Sequence, residues 1–309
     1  MKKILVIGST NTDFVLEVEE MPRVGETIMS KFFHRLPGGK GANQAYACGM
    51  LGGHVSFLSA IGGDGLGSAV MENMRRADVA VSHIRTMEAD STGIAVICVD
   101  GAGNNSIVVS PGANLRCDCD YLKEHRETID ACDILLVQLE VPVDGIFYAI
   151  TYAHKRGKLV ILNPAPCPDG IPDEVLRCVD YITPNETELQ KLTGCRMDFP
   201  DGIQEGAQSL LRRGAGHVVV TLGGKGAMLC SGSGTARFPA WEVSVEDTTA
   251  AGDTFNAALA VGLAEGRCID EVINFANAAS GIAVSRKGAQ TSVPSRAEVE
   301  KFMSSRGDI

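Results

Sequence analysis

Short apolar or β-branched runs bounded by Gly, Asn or Pro recur at positions 4–7, 55–61, 134–139, 159–162, 181–183 and 218–222. Between several of them apolar residues return every three or four positions, which predicts helices over 42–51, 67–77, 143–155 and 202–213. Strands that alternate with helices pair in parallel through right-handed crossovers, so the expected fold class is α/β, a three-layer sandwich with a mostly parallel central sheet. An Ala-rich helical pattern over 254–286 predicts two further helices packed closely against it. Two regions break the alternation. Segments 14–18 with 26–33, and 93–99 with 105–110, read as pairs of extended runs around turn residues, the second enclosing Asp100-Gly101-Ala102-Gly103-Asn104. They predict a small β-sheet, formed by about 14–36 and 92–111, that acts as a lid over a ligand cleft or extends the edge of the main sheet. No internal repeat or low-complexity linker interrupts the chain, and residues 1–309 are expected to form one domain.

Composition narrows the function. With 45% hydrophobic residues the chain has ample core, while a formal charge of −10 and no Lys/Arg run argue against nucleic acid. No apolar stretch reaches the roughly 18 residues of a membrane span. The opening Met-Lys-Lys-Ile-Leu-Val-Ile-Gly has too short an apolar run for a signal peptide, and the 10 cysteines are dispersed, so a reducing cytoplasm is expected. Cys117-Asp118-Cys119 is the one close pair, without the second pair or clustered His that a zinc site needs. The 6 histidines form no triad or metal spacing.

Open α/β sheets bind ligands at the carboxyl ends of their strands, and Asn11, Glu140, Asn163, Asn185 and Thr221 lie at or just past such ends. Glu140 follows an apolar strand, where a buried carboxylate needs a partner. The stretch Asp247-Thr248-Thr249-Ala250-Ala251-Gly252-Asp253-Thr254-Phe255-Asn256 brings a carboxylate to the start of an apolar helical segment. First-turn amides lack intrahelical acceptors and form an anion site, and Asp253 beside it is suited to accept the proton of an attacking hydroxyl. The alternative reading is an ordinary capped helix start. Pro37-Gly38-Gly39-Lys40-Gly41-Ala42-Asn43-Gln44 also leads into a helical pattern, with glycines that permit close approach and Asn43 able to donate and accept. Neither Gly39-Lys40-Gly41 nor Gly224-Lys225-Gly226 is a Walker loop, since no Ser or Thr follows the lysine, and no strict G-x-G-x-x-G is present. Asn185 with Glu188 has the spacing of a helix capping box.

Taken together, Gly38-Gly39-Lys40-Gly41-Ala42-Asn43, Asn185-Glu186-Thr187-Glu188, Thr221-Leu222-Gly223-Gly224-Lys225-Gly226 and the stretch from Asp247 to Asp253 resemble the ribokinase family of sugar kinases, also called the phosphofructokinase-B type. The resemblance covers essentially the whole chain in order. Asn11-Thr12-Asp13, Asn163-Pro164-Ala165-Pro166 and Arg286-Lys287-Gly288-Ala289-Gln290 are similar to its ribose-specific members. It implies ATP-dependent phosphorylation of D-ribose at the 5-hydroxyl, or of another sugar such as 2-deoxyribose or fructose, or of a nucleoside. Asn11, Asp13, Gly39, Lys40, Gly41, Ala42, Asn43 and Glu140 match the family's sugar site, and Asp253 its catalytic base. Ala250, Ala251 and Gly252 match the anion hole. Asn185, Thr221, Leu222, Gly223, Gly224, Lys225, Gly226, Gly252 and Asn277 match the nucleotide site, with Glu188 acting on Mg²⁺ through water. The resemblance further implies a K⁺ ion held near Asp247, Thr249, Ala283, Arg286, Gly288 and Ser292. A homodimer joined through the lid is expected. Pro37 and Ala257 depart from common family choices, at the wall of the sugar pocket and in the packing of the catalytic helix. A catalytically silent sugar- or nucleotide-sensing protein is the rival of another class, and the presence of Asp253 argues against it.

Overall fold

A computed structural model describes residues 1–197, 199 and 201–305. Its strands are β1 (Lys3–Ile7), β2 (Asn11–Glu17), β3 (Phe32–Gly38), β4 (His54–Gly62), β5 (Ile84–Met87), β6 (Gly93–Val99), β7 (Asn105–Ser110), β8 (Ile134–Val137), β9 (Leu159–Leu162), β10 (Tyr181–Ile182), β11 (His217–Thr221), β12 (Ala227–Ser231) and β13 (Gly234–Phe238). Nine of these form one sheet in the order β13-β12-β11-β10-β9-β8-β1-β4-β5. Every pairing from β11 to β5 is parallel, and β12 and β13 add an antiparallel edge.

Helices cover both faces, so the parallel strands are apolar at successive positions rather than at alternate ones. Along β1, Ile4 and Val6 join a core with Ala45, Cys48, Phe255, Ala258 and Ala276, from helices Lys40–Met50, Ala251–Ala264 and Ile269–Val284. Leu5 and Ile7 point the other way, into a core with Ile146, Leu189 and Leu210, from helices Val143–Lys155, Glu186–Thr193 and Gly202–Arg212. The three-layer expectation holds.

The remaining four strands make a second sheet in the order β3-β2-β6-β7. β6 and β7 fall where the sequence predicts them, but the expected strand at 26–33 does not. A turn at Val24 and Gly25 precedes it, with Glu26 N donating to Arg23 O at 3.0 Å, residues 26–30 run without regular structure, and pairing begins at Phe32 opposite Glu17 and runs to Gly38 opposite Asn11. The polar stretch His34-Arg35 and Pro37 conceal this strand in the sequence. Proline is tolerated because β3 is a sheet edge, where one row of N–H groups needs no strand partner. The expected strand at 134–139 stops at Val137, and Leu139 N turns away to donate to Ala165 O at 2.9 Å. The hairpin of β12 and β13 and the terminal helix Arg296–Ser304 are additional to the predicted elements.

Candidate active site

Two helix N-termini meet above the carboxyl ends of the central strands. The helix Lys40–Met50 starts after Gly39, whose φ of 89° is open to glycine at little cost. Its first amides are satisfied by the protein: Lys40 N donates to Glu140 Oε2 at 3.0 Å, Gly41 N to Ser9 Oγ at 3.3 Å and Ala42 N to Ser9 O at 2.8 Å. Ser9 Oγ also donates to Glu140 Oε2. Glu140 therefore has the partners that its place after an apolar strand demanded.

The helix Ala251–Ala264 starts differently. Its N-cap, Ala250, lies in the left-handed region at φ 57°, and no side chain caps it. Ala251 N donates to Thr248 O at 3.3 Å, whereas the amides of Gly252 and Asp253 have no acceptor among the described residues. No heavy atom stands within 4 Å of where a Cβ on Gly252 would project. Ala250 N likewise has no acceptor among the described residues, so of the expected trio Ala250, Ala251 and Gly252 the first and third amides are open.

Between the two helix starts lies a cavity of about 210 Å³, lined by Lys40, Asn163, Asn185, Glu188, Thr221, Thr248, Ala250, Ala251, Gly252, Asp253 and Asn256, among others. The Asp253 carboxylate is 8% exposed and accepts from Asn43 Nδ2 at 3.1 Å and Gln44 Nε2 at 2.9 Å. Burial pushes its pKa up, against the opposing pull of the Lys40 ammonium and these two amides. Asp13, on β2, is pushed up to about 7 by burial and by the carboxylates Glu140 and Asp253. Burial alone would pull the Lys40 ammonium down, but Asp253, Glu140, Glu188 and Asp13 outweigh it and hold Lys40 above its ordinary value. Asn11 is buried, and its Oδ1 accepts from Asn114 Nδ2 at 2.7 Å. Asn114 also clasps the Thr10 backbone at both N–H and C=O, a supporting role that sequence reasoning missed because no motif marks it.

On the far side, Asn185 and Glu188 form the expected capping box. Glu188 uses Oε2 on Asn185 N at 3.0 Å, and burial raises its pKa. Thr221 to Gly226 make a tight turn closed by Leu222 N donating to Gly226 O at 2.8 Å. Gly223, Gly224 and Lys225 are exposed there, and Lys225 pairs with Glu186 at 3.6 Å. Asn277, expected at the nucleotide site, donates through Nδ2 to the carbonyls of Phe238 and Pro239, at 3.3 and 3.2 Å, and so ties its helix to the end of β13.

Below the Asp253 helix, Asp247 accepts from Thr249 N at 2.9 Å, from Thr249 Oγ1 at 2.6 Å and from Gly288 N at 2.9 Å. Burial raises its pKa, but these hydrogen bonds outweigh that and hold it below the ordinary value. The two segments expected to share an ion are thus joined directly. Ala283 O accepts from Arg286 N, Ser292 Oγ donates to Ala289 O, and the Arg286 side chain turns out to Glu298. A larger cavity of about 340 Å³ opens at the opposite, amino-terminal ends of β1 and β4, away from every predicted site residue. Among the described residues no cluster of three or more His, Cys, Asp or Glu is arranged to hold a metal, and no helix is long and apolar enough to cross a membrane.

A free helix N-terminus beside a buried carboxylate suits transfer of an anionic group to a hydroxyl, and comparison with known proteins agrees. Residues 1–296 match the family described as pfkB family carbohydrate kinase. The chain is 38% identical to a ribokinase of Haemophilus influenzae, covering 98% of each protein, and 32% identical to a deoxyribokinase of Salmonella typhimurium, covering 97% of this chain and 98% of the other. The structure of Arabidopsis thaliana ribokinase complexed with ribose and ATP superposes with a TM-score of 0.91 at 34% identity, over 98% of both chains. The chain belongs to the pfkB family of carbohydrate kinases, enzymes that transfer a phosphoryl group to an alcohol acceptor.

Proposed function

We propose that the protein transfers the γ-phosphoryl group of ATP to the primary 5-hydroxyl of D-ribose. The observation that carries this reading is the position of Asp253, a buried carboxylate one residue past the unoccupied amide of Gly252 and opposite Lys40. In this reading Asn11, Asp13, Asn43 and Glu140 surround the sugar, and Asp253 accepts the hydroxyl proton as the oxygen attacks. The Gly252 and Asp253 amides, with Lys40, balance the charge on the transferred group. Thr221 to Gly226 form the open bed for the nucleotide, and the second sheet acts as a lid that excludes competing water. Kinship with a ribokinase bound to ribose and ATP supports this assignment.

The donor sets fit both expected cations. Magnesium keeps most of its water and takes few carboxylates, which suits a site with Glu188 alone, one of whose oxygens is already engaged by Asn185. Bound there, Mg²⁺ would neutralise nucleotide charge. For K⁺, the Asp247 carboxylate, the Thr249 and Ser292 hydroxyls and nearby carbonyls offer oxygen alone, and an ion there would brace the loop before Ala250. The second sheet exposes apolar side chains on both faces, Phe33 and Val108 on one and Phe32, Ile107 and Val109 on the other, which supports a homodimer joined through the lid. All 10 cysteines are free, in keeping with a reducing cytoplasm.

Similarity to a deoxyribokinase favours 2-deoxyribose as the second reading. An assay of ADP release over a panel of pentoses, hexoses and nucleosides decides. Selective turnover of ribose is expected; a preference for 2-deoxyribose, another sugar or a nucleoside would reassign the substrate, and no turnover with any of them would favour a sensor.

A further inference from the structure

Two buried chains of side-chain amides end on opposite oxygens of Asp253. Toward Oδ1, Gln44 Nε2 donates at 2.9 Å and also reaches Asn163 Oδ1 at 3.1 Å, while Gln44 Oε1 accepts from Gln138 Nε2 at 2.6 Å. Toward Oδ2, Asn43 Nδ2 donates at 3.1 Å, and Asn43 Oδ1 accepts from Gln290 Nε2 at 3.3 Å. Gln290 Oε1 in turn accepts from Asn73 Nδ2 at 3.2 Å. Gln44 and Gln138 are fully buried and Gln290 nearly so.

A primary amide has a donating end and an accepting end, and an ionised carboxylate tolerates only the first. Turned over, Gln44 or Asn43 would set oxygen against oxygen on Asp253. The outer residues prevent this: Gln138 and Gln290 each offer N–H to the oxygen of the inner amide, so the inner amide's own N–H must face the carboxylate. Gln138 keeps this orientation although its Oε1 is buried without a partner. Space for that oxygen exists because residue 8 is glycine; a Cβ there would stand 2.1 Å from it. Packing alone gives no reason to bury an unsatisfied amide.

We infer that Gln44 and Gln290 are positioning residues for the reaction, each fixing one oxygen of Asp253 so that the carboxylate stays charged and aimed. The inference rests on the reading of Asp253 as the base. Gln290 has a further consequence, because it lies two residues past Gly288, whose amide binds Asp247. The loop braced at Asp247 is thereby connected to the base through Asn43.

The test is the pH dependence of kcat in Gln44→Met, Gln290→Met and Gln138→Met. Charged groups around Asp253 are Lys40 on the first helix, Asp13 on β2, Glu140 after β8 and Glu188 across the cavity, and all remain in each variant. Gln44→Met is expected to lower kcat about 10- to 100-fold and move the acid limb of kcat upward by about one pH unit, with ATP affinity unchanged. Gln290→Met should do the same more weakly. Gln138→Met should also move the limb, yet add nothing in the Gln44→Met background, since it acts through Gln44. If Gln44→Met does not fold, Gln290→Met and Gln138→Met carry the test. An unmoved acid limb in the folded variants, or a Gln138→Met effect that persists without Gln44, overturns the inference. Asp253→Asn separates the two levels: an inactive Asp253→Asn beside wild-type-like glutamine variants sinks this inference alone, whereas an active Asp253→Asn sinks the base itself.

Discussion

The helix that begins at Lys40 and the helix that begins at Ala251 face each other across one cavity, both entered through small residues with a positive-φ N-cap. They treat their first amides in opposite ways. At Lys40 the protein supplies its own acceptors, Glu140 and Ser9, and the first-turn amides have nothing left to give. At Ala251 the amides of Gly252 and Asp253 stay open. A helix N-terminus becomes an anion site only where the fold withholds a cap, and glycine-rich sequence by itself does not say which case applies. The capped helix contributes side chains instead: Lys40, Asn43 and Gln44 all reach toward Asp253 on the open one.

Substitutions that act on one helix and spare the other sharpen this contrast. The largest effect is expected from Asp253→Asn, which keeps shape and amides but removes the proton acceptor. Steady-state kinetics should show kcat down at least about 100-fold with ATP binding nearly intact, and a near-wild-type rate would remove Asp253 from the chemistry. Next come Asn11→Ala and Asp13→Ala, beside the capped helix. Calorimetry should find sugar affinity reduced about 10-fold or more and nucleotide affinity barely changed; ribose affinity that survives both would move the sugar site elsewhere.

Bracing of the open helix predicts a smaller effect. Replacing K⁺ by a large organic cation at equal ionic strength should lower kcat about 3- to 10-fold, and Asp247→Ala should abolish the difference. Equal rates in both salts would leave Asp247 with its hydrogen bonds alone. The smallest effect is on stability. Because the folded state raises the Asp13 pKa from 3.8 to about 7, folding takes up a proton there, and this residue's contribution falls as pH rises from about 4 to 7. Asp13→Asn should therefore gain in Tm over the parent across that window, by about 3 °C at pH 8, and little at pH 4. A pH-independent difference would mean that the carboxylate is not strained by its neighbours.

Much of the architecture was legible because parallel strands and their crossover helices carry local signals. Runs such as Leu159–Leu162 and Val143–Lys155 sit where periodicity puts them. Edge elements were less readable: β3 carries His34, Arg35 and Pro37, and β12 owes its existence to pairing with β11, and β13 to pairing with β12, rather than to an alternating pattern of their own. The charged site residues were legible as motifs, and the structure brings Asp13, Lys40, Glu140, Glu188 and Asp253 within mutual electrostatic reach. The amides that orient them were not. Gln138 lies 94 residues from Gln44, and Gln290 lies 247 from Asn43, separations at which uncharged side chains leave no local trace.

The ring of carboxylates around Lys40 also bears on how a turnover ends. Under the proposed reaction a neutral sugar enters this acidic basin without electrostatic opposition, and leaves bearing roughly two negative charges on its new phosphate. Once Asp253 has taken up the hydroxyl proton, Asp13, Glu140 and Glu188 still outnumber the single ammonium, so the phosphorylated sugar meets net repulsion where its precursor met hydrogen-bond acceptors. The carboxylates that add to burial in raising Asp13 thus favour eviction of product and keep circulating sugar phosphates from occupying the sugar's place.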